Sequence, residues 1–224
     1  MGHEFCGRVM QAPADSSSIL KVGQAVMVDP RLCCGSCTNC QASNTNGCAK
    51  WGFLGLSGCG GGLSEAVAVD ASMCHVLPES VPLGLAALIE PLAVAQHAAA
   101  CARVQDWSKE SVLCIGGGPV AIAVAMILRA QGVGKVFVSE PTVKRREYAV
   151  EICHAVIDPV KENVGERCRS LTDGAGVGVV FDCAGVQVGL KAGMDALRFG
   201  GVYVNVAGWE TPVWQVFDGR IPCS

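Results

Sequence analysis

The sequence predicts an α/β protein in two parts. An irregular, strand-rich first part covers residues 1–90, and a doubly wound parallel sheet follows over 91–224. Three observations predict it. Apolar strand-length runs alternate with helix-length runs from Ser111 to Val206, the βαβ rhythm of a parallel sheet. A glycine-rich turn, Gly116–Ala121, directly follows the first of those runs and opens a helical stretch. Before Leu83 no long helical period exists, only short β-rich pieces between Gly and Pro.

In chain order, Ala25–Val28 and Glu65–Val69 read as strands. Five glycines between Gly55 and Gly62 predict tight turns or close backbone approach. Leu83–Val104 is rich in Ala and Leu and reads as helix, broken at Pro91 and resumed from about Leu92. Strands are then expected at Ser111–Ile115, Lys135–Ser139, Ala155–Ile157, Val179–Asp182 and Gly201–Val206. Helices are expected at Val120–Gln131, Lys144–Cys153 and Leu190–Leu197. No internal repeat or low-complexity linker is visible.

Composition narrows the function classes. Half of the 224 residues are hydrophobic, enough for a sizeable core. A net charge of −3 without a basic stripe argues against a nucleic-acid partner. The apolar run near Val120–Leu128 is too short to span a bilayer, so no membrane partner is expected. MGHEF lacks a signal-peptide pattern, and Cys6 stands where a myristoylation site needs Ser or Thr. Fourteen cysteines are many. Cys101, Cys114, Cys153 and Cys183 sit inside apolar runs, so buried free thiols plus one metal site is the expectation, with a reducing, cytoplasmic setting.

Three motifs carry chemistry. The ladder Cys34-x2-Cys37-x2-Cys40-x7-Cys48 has the spacing of a four-thiolate zinc site, whose closed tetrahedral shell leaves no room for substrate. Gly35, Asn39 and Asn46 supply its turns, and Cys33 is a spare thiol that could replace Cys34. An iron–sulfur cluster or loose thiols are the alternatives. Gly116-Gly117-Gly118-Pro119-Val120-Ala121 has the form G-x-G-x-x-A. There the first Gly permits the turn, the second lets backbone approach a pyrophosphate, and Ala121 keeps helix and strand close. Glu140 closes the next strand, where an acid can bind ribose hydroxyls and repel a 2′-phosphate; this favours NAD over NADP. Arg145 and Arg146 could counter that repulsion or stack on adenine. A Gly-rich turn without ligand is the bland alternative. The third motif is Gly2-His3-Glu4. A lone His–Glu pair is more often structural, but His3, Glu4 and Glu90 are candidates for a catalytic metal, which needs protein ligands and an open position. His97 follows Glu90 by seven residues and reads as a packing residue; His75 and His154 receive no role.

The order GHE, four-Cys lobe, EP, G-x-G-x-x-A resembles the zinc-containing medium-chain alcohol dehydrogenases from Gly2 to about Gly208. WGFLGLSGCGGGLSEAV and AALIEPLAVAQHA are most similar to the polyol branch, 2,3-butanediol dehydrogenases first and sorbitol dehydrogenases next. The resemblance implies an incomplete GroES-like β-barrel catalytic domain followed by a Rossmann sheet lacking its last strand. Cys34, Cys37, Cys40 and Cys48 would hold structural zinc. His3 would ligate catalytic zinc, with Glu4 and Glu90 direct or outer ligands. Gly116, Gly118, Ala121, Glu140 and Arg145 would bind NAD. The implied reaction is hydride transfer between NAD and a secondary alcohol or vicinal diol such as 2,3-butanediol, in a homo-oligomer.

Two departures stand beside it. Family members begin before GHE, in a segment that supplies a cysteine ligand, and Trp209–Ser224 soon loses the family pattern. A catalytically silent zinc- and NAD-binding remnant is therefore carried as an alternative. Others are a sorbitol/L-iditol-type dehydrogenase and a zinc-free quinone reductase; the His3–Glu4 pair and the cysteine ladder argue against the last.

Overall fold

The computed structural model describes residues 1–12, 19–57 and 60–209. The reading of the chain beyond Trp209 lies outside the described residues. Two compact units divide the chain, Met1–Pro91 and Leu92–Ser224.

The first unit is built from short pieces. Strands β1 (Cys6–Arg8), β2 (Ala25–Val28) and β5 (Cys74–Val76) form an antiparallel sheet in the order β1-β2-β5. A second ladder pairs β3 (Arg31–Leu32) with β4 (Gly52–Phe53), and one helical turn, α1 (Thr38–Gln41), lies between them in sequence. Its clustered core is small, Met27, Leu77 and Ala86 with Cys6, Val81, Leu83 and Ile89 against it, and Val26, Val28 and Leu54 are buried beside that cluster's strands and loops. The strand expected at Glu65–Val69 does not form. Its alternating Val and Ala suit a pleat, but Glu65–Ala68 are exposed, so no face gains by ordering as a ladder. The helix break also falls earlier than Pro91. Helix α2 (Leu83–Ala86) ends before α3 (Ile89–Cys101), and Pro91 sits in the first turn of α3, where its missing N–H costs nothing.

The second unit is a five-stranded parallel sheet. Its strands are β6 (Ser111–Ile115), β7 (Lys135–Ser139), β8 (Ala155–Ile157), β9 (Val177–Asp182) and β10 (Leu197–Asn205), in the order β10-β9-β6-β7-β8. Period-2 alternation splits the side chains between two cores. Val112, Cys114, Val136, Val138, Val179 and Phe181 meet α3 and α4 (Pro119–Ala130) on one face. Leu113, Ile115, Phe137, Ile157 and Val180 pack on the other with α6 (Val164–Leu171), which follows α5 (Val143–Val150); Val177, at the start of β9, joins this second cluster. All six residues of β9 are buried, as a strand covered on both faces requires. Helix α4 buries Ala121, Val124, Ala125 and Leu128, an i, i+3, i+4, i+7 stripe.

Several boundaries differ from expectation. Helix α5 stops at Val150 rather than Cys153, and α7 (Gln187–Ala196) begins three residues early. Strand β10 starts at Leu197 because its register breaks between Leu197 and Val202, with Gly200 at φ 71°. Helix α6 was missed altogether. Its signal is in the sequence: Asn163 caps it by accepting from Glu166 N, and Glu stands three residues after the cap.

Candidate metal centres and nucleotide crevice

The cysteine lobe is folded by local chemistry. Gly35 takes φ 67°, Ser43 takes φ 60°, and Asn39 donates through its amide to the Gly47 carbonyl. Arg31 grips Asp29 at 2.6 Å and reaches Asn46 Oδ1 at 2.7 Å, tying β3 to the far side of the loop. The ligand atoms of Cys34, Cys37, Cys40 and Cys48 then lie within 4.8 Å of one another. Cys37 and Cys40 sulfurs are 3.5 Å apart, Cys34 and Cys40 4.0 Å. A tetrahedral ion with bonds of about 2.3 Å to sulfur needs edges of about 3.8 Å. These sulfurs therefore fit one ion and leave no room for a multi-iron core.

Electrostatics agree. The Ser36 N–H and hydroxyl, with the Cys37 N–H, draw the Cys34 thiol down to about 5. N–H groups of Ala49 and Cys40 lower that of Cys37. Burial and the neighbouring sulfurs push Cys40 up to about 12. Four sulfurs this close cannot all ionise without a cation between them. The backbone N–H groups of Cys34 and Lys50 each donate to Cys48 Sγ at 3.3 Å, the kind of outer-shell support that thiolate ligands use. Cys33 is exposed and stands outside the four-sulfur group.

A second convergence brings together His3, Glu4 and Glu90, whose ligand atoms also lie within 4.8 Å. His3 Nε2 is 3.9 Å from Glu4 Oε1. Glycine packing holds this segment in place. Gly62 N donates to Gly2 O at 2.9 Å, and a Cβ on Gly55 or Gly61 would overlap the Gly2 carbonyl. Much of the glycine run from Gly55 to Gly62 thus has a reason: it lets another backbone pass beside it. Phe53 sets its ring edge-on to His3, with centroids 5.9 Å apart, and Trp51 stacks edge-on against Phe53 in turn. Burial pushes the Glu90 carboxyl up; Glu4 and Asp29 push the same way, and His3 opposes them. Three oxygen and nitrogen donors around one point can hold a divalent cation and leave a position open. A cavity of about 700 Å³ in the same unit, lined by Phe5, Val9, Val26, Val28, Val67 and Val69 among others, includes none of the three in its lining.

In the second unit the crevice forms where strand order reverses. The chain runs from β6 outward to β7 and β8, then crosses back to β9 on the other side of β6. Gly116 directly follows β6 at φ 91°, and a Cβ there would sit 3.4 Å from Ala184 after β9. A Cβ on Gly117 would strike Glu140. Around Gly118 no atom lies within 4 Å of such a Cβ, and its φ of −76° is open to any residue. No contact among the described residues demands glycine there, which is what a cradle for an approaching ligand shows. Gly118 caps α4 and Pro119 occupies its first turn, so the free N–H groups of α4 point at that space.

Glu140 is 2% exposed and already engaged. Its carboxylate accepts from Gly117 N and from Thr142 N, both at 2.7 Å. Burial raises its pKa, but these two N–H donors and Arg145, 3.8 Å away, outweigh it and hold the carboxyl below its ordinary range. The two arginines after it separate in role. Arg146 is locked to Asp158 at 2.9 Å and to the Glu140 and Pro141 carbonyls. Arg145 stays more than half exposed.

Sequence reasoning missed Asp182 and Tyr203. Asp182, fully buried, accepts from Ala184 N, Gly185 N and the Tyr203 hydroxyl at 2.9, 3.0 and 2.8 Å. It shapes the loop after β9 that meets Gly116. The only signal in the sequence is a charged residue ending an otherwise apolar strand.

Known proteins share this pattern. Residues 1–79 match the alcohol dehydrogenase GroES-like domain, and residues 119–218 match the zinc-binding dehydrogenase family. The chain is 37% identical to an (R,R)-butanediol dehydrogenase of Neisseria gonorrhoeae, over 95% of this chain and 59% of that one. It superposes on the 2R,3R-butanediol dehydrogenase of Bacillus subtilis with a TM-score of 0.84 at 32% identity, covering 95% of this chain and 59% of that one. A zinc-binding dehydrogenase structure from Sinorhizobium meliloti bound to NADP gives 0.86 at 28%, covering 94% and 61%. The chain thus spans about three-fifths of the length of these relatives.

Proposed function

Since this chain belongs to the zinc-containing medium-chain alcohol dehydrogenase family, we propose that it serves hydride transfer between NAD and a secondary alcohol or vicinal diol of the 2,3-butanediol type. The observation that carries this reading is the convergence of His3, Glu4 and Glu90 in a chain that also builds the crevice at Gly116–Ala121. Zinc held by His3, Glu4 and Glu90 would supply Lewis acidity to a substrate hydroxyl, and NAD held at Gly116–Ala121 would supply the hydride acceptor.

The chain's own residues position those groups. His3 offers Nε2, and Glu4 and Glu90 offer carboxylate oxygens; Phe53 fixes the His3 ring from the side. Gly116 and Gly118 with the α4 N-terminus take the pyrophosphate, and the small buried Ala121 keeps α4 close to the sheet. Glu140 takes the ribose through its remaining lone pairs, beside Arg145. Cys34, Cys37, Cys40 and Cys48 brace the lobe around structural zinc. Residues 1–90 form the catalytic domain and 91–224 the nucleotide domain. A homo-oligomer fits the family. The free thiols of the described cysteines suit a reducing, cytoplasmic setting.

NADH formation with a panel of diols and sorbitol, run beside NADPH formation, tests the reading. Zinc-dependent NADH formation with 2,3-butanediol, lost in His3→Ala, is expected. A protein that binds zinc and NAD but forms no NADH with any alcohol is instead the silent binding form.

A further inference from the structure

Helix α3 turns one face to the core and another to solvent. Ala95, Ala98 and Ala99 are buried, whereas His97 and Cys101 are exposed. The sequence places both in an apolar, Ala-rich run and predicts a packing histidine and a buried thiol. The structure corrects both. The two are four residues apart, one helical turn, and so share a face. Cys101 Sγ lies 3.6 Å from His97 Nε2, and neither side chain has another hydrogen-bond partner among the described residues.

That separation has a chemical meaning. Zinc binds imidazole nitrogen at 2.0–2.1 Å and thiolate sulfur at 2.3 Å. A triangle with those sides and a base of 3.6 Å closes at about 110°, the tetrahedral angle. The S–N separation matches that of two ligands on one ion, and one helical backbone carries both.

We propose that His97 and Cys101 form a third, exchangeable transition-metal site on the exposed face of α3, for a borderline ion such as Zn2+. On binding, the Cys101 thiol releases its proton to solvent and sulfur and Nε2 each donate a lone pair. Water completes the shell. Two protein ligands make the site weaker than the four-sulfur cluster, and its occupancy follows free zinc. The site rests on one helix and does not depend on the proposed dehydrogenase activity.

The test is zinc titration of the purified holoprotein against a chromophoric chelator, with Co2+ as a spectroscopic probe of thiolate ligation. Wild type is expected to take up one more equivalent than Cys101→Ser or His97→Asn, all three starting with the same metal content. Cys101→His keeps two ligands at the same spacing and should retain that equivalent without the sulfur-to-cobalt band. Equal uptake by wild type and both single variants would overturn the site. So would a loss in Cys101→Ser alone, which would assign the ion to the thiol without the imidazole.

Discussion

The two units hold their functional groups in place by different physics. In Leu92–Ser224, ladder hydrogen bonds and two apolar cores position everything. Gly116 and Glu140 sit where they do because β6 and β7 end there. In Met1–Pro91 the clustered core centres on Met27, Leu77 and Ala86, and the strands run two to four residues. There, glycine contacts and the cysteine lobe do the positioning. The difference teaches that a regular sheet can place a site without metal, whereas a loop-built lobe depends on chelation to stay ordered.

The largest expected effect tests that dependence. Cys48→Ser would remove one corner of the proposed four-sulfur zinc site and chelation would remove its ion; structural zinc is worth on the order of 10 kcal/mol to folding in small zinc domains. Amide exchange should accelerate across the lobe and β3–β4 while β6, β7 and β9 keep their protection. Equal loss in both units would abolish the contrast.

Next in size is Glu140→Ala, which leaves the Gly117 and Thr142 N–H groups without their partner, about 1–3 kcal/mol for each that stays buried and unpaired. NAD binding should weaken and preference shift toward NADP; unchanged binding of both would remove Glu140 from the ribose site. Acid should act the same way. The folded carboxyl is held below the ordinary glutamate range, so its contribution is present above the unfolded value and lost as pH falls through the folded one. A wild-type melting temperature that falls more steeply than that of Glu140→Gln below about pH 4.5 is expected.

The smallest effects compare two glycines. Gly61→Ala would force Cβ into the Gly2 and Met1 carbonyls and should cost about 1–3 kcal/mol while displacing His3. Gly118→Ala meets no described atom and should cost only about 0.5–1 kcal/mol, the difference between Gly and Ala at an N-cap, while weakening NAD binding severalfold. Thermal melts and nucleotide titration separate them. If Gly118→Ala destabilises as much as Gly61→Ala, the cradle is structural.

The amino-acid sequence by itself determined the parallel sheet, because βαβ units announce themselves through local period and turn residues. It likewise determined the cysteine lobe, whose four ligands lie within fifteen positions of one another. The GHE and EP motifs could be named as candidates, but their meeting could not be derived, since His3 and Glu90 are far apart in sequence and only folding sets their distance. Tertiary structure alone decided three further matters. Glu65–Val69 found no face to bury and stayed out of a ladder. Arg146 was committed to Asp158 and Arg145 was not. Cys101, read as buried from its apolar neighbours, lies on the solvent face of α3 beside His97. Apolar composition says that a helix has a buried face; which residues lie on it depends on the direction from which the rest of the protein covers the helix.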